Sequence, residues 1–309
     1  MIRQVSLLGL GTMGPGIAAR LAYGGISVRV YDTSELAVER AKGLIDSAFI
    51  ILDKLNIDPS EYKAHAIQFS THLEKCVEEA DLIIENIPED IEIKSALYKK
   101  LDPIISPSTI VASNTSGIQI TQLQDFISNP ERFVGMHWSN PPHIIPMIEV
   151  IAGKKTDKET VEQVRNFIKF LHLLPVIVKQ DVPGFVENRV LYALLREVVD
   201  LVERGVIDSE DIDTCVSWGI GFKIAVIGPM ALLDMAGLDI YKSVSSFLNK
   251  DLSKKEDVAS IIIDKVNNKN LGIKTTKGIY NYTTEKILEL KKERENKLVL
   301  IRRILEDKI

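Results

Sequence analysis

The sequence predicts an α/β fold: a doubly wound parallel sheet in the N-terminal part and an all-α C-terminal domain. Three observations predict it. Short apolar runs alternate with amphipathic segments over residues 4–179. A glycine-rich turn, Gly9-Leu10-Gly11-Thr12-Met13-Gly14, joins the first apolar run to the first helical segment. Beyond Asp181-Val182-Pro183-Gly184 the alternation stops and helical periods remain. Strand–helix alternation is the pattern of a parallel sheet whose crossovers are helices, and a Pro-Gly turn between two patterns marks a boundary. The expected domains are residues 1–181 and 182–309.

Gln4 to Leu8 is a continuous apolar run of strand length, and residues 14–24 then show helical spacing through Ile17 and Leu21. Ser27 to Tyr31 reads as a second strand. Ser34, with Glu35 behind it, starts a long helix. Residues 81–87 (DLIIENI) and 109–113 (TIVAS) read as strands flanking a helix over about 90–101. Residues 133–138, 147–152 and 175–179 are further strand candidates, with a helix over about 157–171. In the second part, Val190, Leu191, Leu194, Leu195, Val198 and Leu201 form one apolar stripe over residues 188–204. Helices are also expected over residues 208–217, 229–248 and 284–309.

The chain has 309 residues, which suits about two domains and a sizeable core without disulfide or metal staples. Lys and Arg total 38 against 43 Asp and Glu, and that slight acid excess argues against a nucleic-acid binder. Its two cysteines, Cys76 and Cys215, form no CxxC pair, which fits a reducing, cytoplasmic setting. The apolar stretch from Val5 to Ala19 is broken by glycines and reads as a strand entering a loop, not a signal peptide. No apolar run reaches the ~18 to 20 residues needed to span a bilayer, so no membrane partner is expected.

Chemistry concentrates in two constellations. In the first, strand, Gly9–Gly14 turn, helix, second strand and Asp32 follow in the order of a Rossmann-type dinucleotide site. The glycines permit a tight turn and close approach of a pyrophosphate to a helix N-terminus. Asp32 can accept hydrogen bonds from ribose hydroxyls, and it would repel the 2′-phosphate of NADP. No Arg follows it, so NAD is favoured. Flavin is a rival with the same turn, and Asp32 as a mere helix cap is the plain structural alternative.

The second constellation is Ser113-Asn114-Thr115-Ser116-Gly117 and His137-Trp138-Ser139-Asn140-Pro141-Pro142, each following a strand, with Glu149 beyond. Carboxyl ends of strands line the ligand crevice of such sheets. Histidine suits a base that takes a hydroxyl proton while hydride leaves carbon. Glu149 can orient it if the chain folds back between two strands, and Pro141, Pro142 and Pro146 favour a return. A structural histidine is the alternative. No metal is expected: His137, His143 and Glu149 have no usual ligand spacing. His65, His72, His143 and His172 read as structural or surface residues.

Gly9–Gly14, Asp32, Ser113–Ser116, His137 with Asn140-Pro141, Ile148-Glu149-Val150, Pro183-Gly184-Phe185 with Asn188-Arg189, and residues 274–280 occur in one order. Together they resemble the 3-hydroxyacyl-CoA dehydrogenase family over residues 2–282. The resemblance implies His137 as general base, Glu149 as its orienting partner, and Ser116 and Asn188 as donors to the substrate oxygen. It implies cofactor contacts from Gly9, Gly11, Thr12, Met13, Gly14, Asp32, Glu89, Lys94, Asn114, Ser116, Asn140 and Lys274. It also implies that Asn188 completes the site on domain closure, and that the chain forms a homodimer through its helical domain.

The direct expectation is NAD-dependent oxidation of an L-3-hydroxyacyl-CoA to its 3-keto product. Two departures point elsewhere. Acyl-CoA members carry a lysine-rich helical insert, whereas residues 50–59 (IILDKLNIDP) hold a single Lys against two Asp. Trp138-Ser139 stands where a pair of phenylalanines is usual. Pro142-His143-Ile144-Ile145-Pro146 resembles members acting on free hydroxy acids. These include L-gulonate 3-dehydrogenase with lambda-crystallin, carnitine dehydrogenase, and a pyridine-carboxylate hydroxymethyl dehydrogenase. The alternative is therefore the same chemistry on a small free acid. A non-catalytic, crystallin-like NAD binder is a third reading, opposed by Ser116, His137, Glu149 and Asn188 occurring together.

Overall fold

The computed structural model describes residues 1–55 and 67–307. His65 and residues 56–59 of the segment compared with the CoA-binding insert lie outside the described residues. Eight strands form one sheet: β1 Gln4–Leu8, β2 Ser27–Tyr31, β3 Ile67–Ser70, β4 Leu82–Glu85, β5 Ile110–Ser113, β6 Phe133–Trp138, β7 Met147–Ala152 and β8 Leu174–Val178. Their order is β3-β2-β1-β4-β5-β6-β7-β8. The strand order reverses between β1 and β4, where doubly wound sheets bind their ligands.

Strands β1 to β6 run parallel, and β4, β5 and β6 are buried along their whole length. Helical crossovers cover both faces of parallel strands, which is why these segments read as unbroken apolar runs. Strand β7 departs from the all-parallel expectation: it pairs antiparallel with β6, and β8 follows β7 in parallel. The connection, residues 139–146, is too short for the crossover of on the order of a dozen residues that a parallel pair needs.

Six helices belong with the sheet: α1 Gly14–Tyr23, α2 Glu35–Lys54, α3 Leu73–Val77, α4 Ile91–Leu101, α5 Ile120–Leu123 and α6 Lys158–Phe170. All ten residues of α1 are buried, Arg20 among them. Burial, then the nearby Arg302, lowers the Arg20 guanidinium to about 10, and its Nη2 donates to the Leu171 carbonyl. Asp90 caps α4, accepting from the Glu92 and Ile93 N–H groups at 2.9 and 3.0 Å.

The remaining helices are α7 Glu187–Glu203, α8 Ser209–Thr214, α9 Phe222–Val226, α10 Pro229–Ala236, α11 Leu238–Asp251, α12 Ser260–Asn267 and α13 Thr284–Leu305. The helix expected over 229–248 is two helices broken at Gly237, whose φ of +99° suits glycine alone. The chain divides into two compact units, residues 1–189 with 295–309, and residues 190–294. The division falls eight residues after the expected break at 181/182, and it takes residues 295–309 out of the expected 182–309 domain. Val299 joins the core around the sheet, and Arg302 Nη1 donates to the Ile144 carbonyl at 2.7 Å, so the end of α13 belongs to the first unit.

Candidate active site

The glycine turn lies at the carboxyl end of β1. Gly9 has φ +106°, and a Cβ there would stand 2.4 Å from the Asn86 carbonyl oxygen. A Cβ on Gly14 would stand 2.3 Å from the Gly9 carbonyl oxygen, so both positions exclude side chains. Gly11, by contrast, faces open space, as close approach by a pyrophosphate requires. Gly9, Gly11, Thr12, Met13 and Asp32 line one cleft of about 740 Å³. Leu73, Ile93, Ala96 and Leu97 give it an apolar wall suited to a flat base. No local pattern in the sequence marks these four.

Asp32 stands at the end of β2, with its carboxylate positioned by N–H groups of Leu10 (2.9 Å) and Ser34 (3.0 Å). The residues present therefore fit NAD: Gly9 to Gly14 for the pyrophosphate and Asp32 for a ribose. Arg40 of α2 reaches the Leu10 carbonyl at 3.4 Å, a cation near this turn that sequence order did not bring out.

A chain of amides knits the strand ends beneath the site. Asn86 Nδ2 donates to the Gly9 carbonyl (3.0 Å), Asn114 Nδ2 to Asn86 Oδ1 (2.8 Å), and the Trp138 N–H to Asn114 Oδ1 (2.8 Å). Asn114 thus ties β4, β5 and β6 together. Glu89 Oε1 accepts from Thr115 Oγ1 (2.6 Å) and from the Ser116 and Gly117 N–H groups (both 2.9 Å), which shapes the turn that exposes Ser116. Burial opposes the charge on Glu89. The Thr115 hydrogen bond, Lys94 and these N–H groups outweigh it and hold the carboxyl below its ordinary range.

Lys94 is fully buried. Its Nζ donates to Glu85 Oε1 at 2.6 Å and lies 3.6 Å from Glu89 Oε2. Tyr98 OH and Ser113 Oγ donate to Glu85 Oε2, both at 2.6 Å. Glu85 escaped the sequence reading. Its signal was an acid closing the apolar run Leu82–Glu85, a residue type that is seldom fully buried unless paired.

His137 and Glu149 face each other as direct partners of the β6–β7 ladder. The return between the strands is thus the one the prolines suggested. Nδ1 of His137 lies 2.8 Å from Glu149 Oε2, with the two side chains 8% and 1% exposed. Glu149 Oε1 accepts from the N–H groups of Val186 (2.9 Å) and Glu187 (3.1 Å) at the start of α7, where backbone dipoles favour a negative charge. Burial works against the Glu149 charge, but the His137 hydrogen bond and these N–H groups hold the carboxyl below its ordinary range. An ionised Glu149 accepts a hydrogen bond from Nδ1–H, which fixes the tautomer and leaves the Nε2 lone pair as the acceptor. Among the described residues Nε2 has no hydrogen-bond partner. The arrangement can accept one proton from a bound hydroxyl.

Asn188 Nδ2 donates to the Ser116 carbonyl at 2.9 Å, joining the start of α7 to the turn after β5. Asn140 is exposed in the 139–146 connection. Lys274 is exposed in the Ile273–Thr275 turn of the second unit. His143 packs at Gly16 of α1, where a Cβ would meet its Nδ1 at 2.9 Å, and it does not belong to the cluster of His137, Glu149 and Glu187.

Profiles of the 3-hydroxyacyl-CoA dehydrogenase family match almost the whole chain: the NAD-binding domain over residues 4–182 and the C-terminal domain over residues 184–282. The chain is 61% identical over 306 residues to 5-formyl-3-hydroxy-2-methylpyridine 4-carboxylate 5-dehydrogenase of Mesorhizobium japonicum, covering 99% of both chains. It is 35% identical over 292 residues to the mitochondrial hydroxyacyl-coenzyme A dehydrogenase of Sus scrofa, covering 91% of this chain and 92% of the relative. Among solved structures, a 5-formyl-3-hydroxy-2-methylpyridine 4-carboxylic acid 5-dehydrogenase, described as an NAD+-dependent dismutase, aligns with TM-score 0.97 at 61% identity over 99% of both chains. The (S)-3-hydroxybutyryl-CoA dehydrogenase of Ralstonia eutropha aligns with TM-score 0.75 at 33% identity, over 92% of this chain and all of that one. This chain, with its dinucleotide turn and paired His137 and Glu149, is an NAD-dependent dehydrogenase of the 3-hydroxyacyl-CoA dehydrogenase family.

Proposed function

We propose that the protein oxidises the formyl group of a free hydroxypyridine carboxylate to a carboxylate, using NAD. The observation that carries this reading is the 61% identity, spanning 99% of both chains, to a dehydrogenase named for that substrate. Relatives named for CoA esters stand at 35%. The reading replaces the L-3-hydroxyacyl-CoA as the first choice of substrate, and it sets the oxidation level at an aldehyde rather than a hydroxymethyl group.

In this scheme bound NAD supplies the hydride acceptor. Nε2 of His137 takes the hydroxyl proton of the hydrated aldehyde as hydride leaves its carbon. Glu149 fixes the ring and stabilises the imidazolium. Ser116 and Asn188 hold the substrate oxygen. Gly9 to Gly14, Asp32, Asn114 and Asn140 hold the cofactor, while Glu89 and Lys94 support that site.

The test offers the purified protein NAD with 5-formyl-3-hydroxy-2-methylpyridine 4-carboxylate, and separately NADH with acetoacetyl-CoA. Carboxylate formation in the first arm is expected. Turnover of the CoA ester with none of the aldehyde would overturn the reading.

We further propose a homodimer formed through the second unit, supported by its exposed Trp218, Phe222, Met230, Met235 and Phe247. A monomer by sedimentation at micromolar concentration would contradict it. We place the protein in the cytoplasm on its two free cysteines, Cys76 and Cys215.

A further inference from the structure

One carboxylate beside His137 has no part in that scheme. Glu187 opens α7 with its side chain 34% exposed. Its Oε2 lies 3.9 Å from His137 Nδ1 and accepts from Ser139 Oγ at 2.5 Å. Its Oε1 has no hydrogen-bond partner among the described residues. Glu149 differs: it is buried, with one oxygen on the imidazole and the other on two backbone N–H groups. Protonating Glu149 would forfeit those bonds. Glu187 keeps a free oxygen and access to water, through which a proton can leave.

The proton count of the reaction gives such a group a task. Oxidising an alcohol to a carbonyl releases one proton with the hydride. Oxidising an aldehyde to a carboxylate consumes water and releases two. His137 accepts only one, because its Nδ1 proton is committed to Glu149.

We propose that Glu187, held by Ser139, is the second proton acceptor of this site. The proposal rests on the aldehyde reading above. Glu187 takes a proton from water as the water oxygen bonds to the formyl carbon and the carbonyl electron pair moves onto its oxygen. The hydride then leaves that carbon for NAD, the C=O bond reforms, and His137 takes the remaining hydroxyl proton to leave the carboxylate. Reduction of the same aldehyde by NADH needs one proton, which His137 supplies, and no water is activated.

The experiment compares two rates for the full-length protein with 5-formyl-3-hydroxy-2-methylpyridine 4-carboxylate: carboxylate formed with NAD, and alcohol formed with NADH. Glu187→Gln should lower the ratio of oxidation to reduction by about 100-fold, the low end for a general base. Glu187→Asp should restore part of it, and Ser139→Ala should lower the same ratio by less. Equal losses in both directions would make Glu187 a structural residue and overturn the proposal, as would an unchanged ratio. If Glu187→Gln does not fold, Ser139→Ala carries the same comparison. Failure of the unmodified protein to oxidise the aldehyde overturns the functional reading itself, a result distinct from any of these.

Discussion

Glu85 and Glu149 are both sheet carboxylates with almost no exposure, and each collects several hydrogen bonds. Their partners differ in kind. Glu85 receives Lys94, Tyr98, Ser113 and the Ile87 N–H, all internal, and every bond ends there. Glu149 receives two backbone N–H groups and an imidazole whose far nitrogen is unpartnered among the described residues. A buried acid whose donors are all satisfied holds elements together. A buried acid that orients a group with one open acceptor can pass its charge to a reacting atom.

The largest effect expected from this contrast is on stability. Lys94→Met strands Glu85 without its cation and should cost about 3–5 kcal/mol in urea unfolding. A rise in KM for NAD with stability intact would instead show Lys94 meeting cofactor, and would break the contrast. His137→Ala should lower turnover at least ~100-fold. Retained turnover would put the base elsewhere. Tyr98→Phe removes one of four donors to Glu85 and should cost about 1–3 kcal/mol by chemical denaturation, with no change in the pH profile of turnover.

Acid sensitivity should be the smallest effect and should separate the groups further. The Glu149 carboxyl lies below its ordinary range when folded, so its contribution is complete above that range and is lost as pH falls through the folded value. Glu149→Gln should remove that loss. Burial lowers the His143 imidazole from 6.5 to about 4. Between those values the unfolded chain binds a proton that the native one does not, so stability declines as pH falls from 6.5 to about 4. His143→Leu should flatten this slope in denaturant midpoints measured across that window. An unchanged slope would mean that His143 is not the group responsible.

The cofactor half was legible because its signals are local. A strand, a glycine turn, a helix N-terminus and an acid after the next strand occupy consecutive sequence, and each constrains the next. His137 and Glu149 were legible as residue types, and their pairing depended on how residues 139–146 return. The short edge strand β3 and helix α3 were overlooked because four or five residues carry too little periodicity. Gly237 splits a segment whose apolar period runs on across it. Ser139 and Glu187 are separated in sequence by two strands and a helix, and no spacing rule joins them.

By itself the sequence determined the class of fold and the NAD turn, and it singled out His137 and Glu149 as candidates for a base and its partner, since those follow from local backbone demands and residue chemistry. Tertiary structure decided three further things. The antiparallel return of β7 sets Glu149 opposite His137. The start of α7 supplies the N–H groups that keep Glu149 charged and brings Glu187 beside the imidazole. The end of α13 returns to the first unit. Each depends on contacts between segments distant in the chain, where burial and hydrogen-bond satisfaction, rather than local propensity, select the partner.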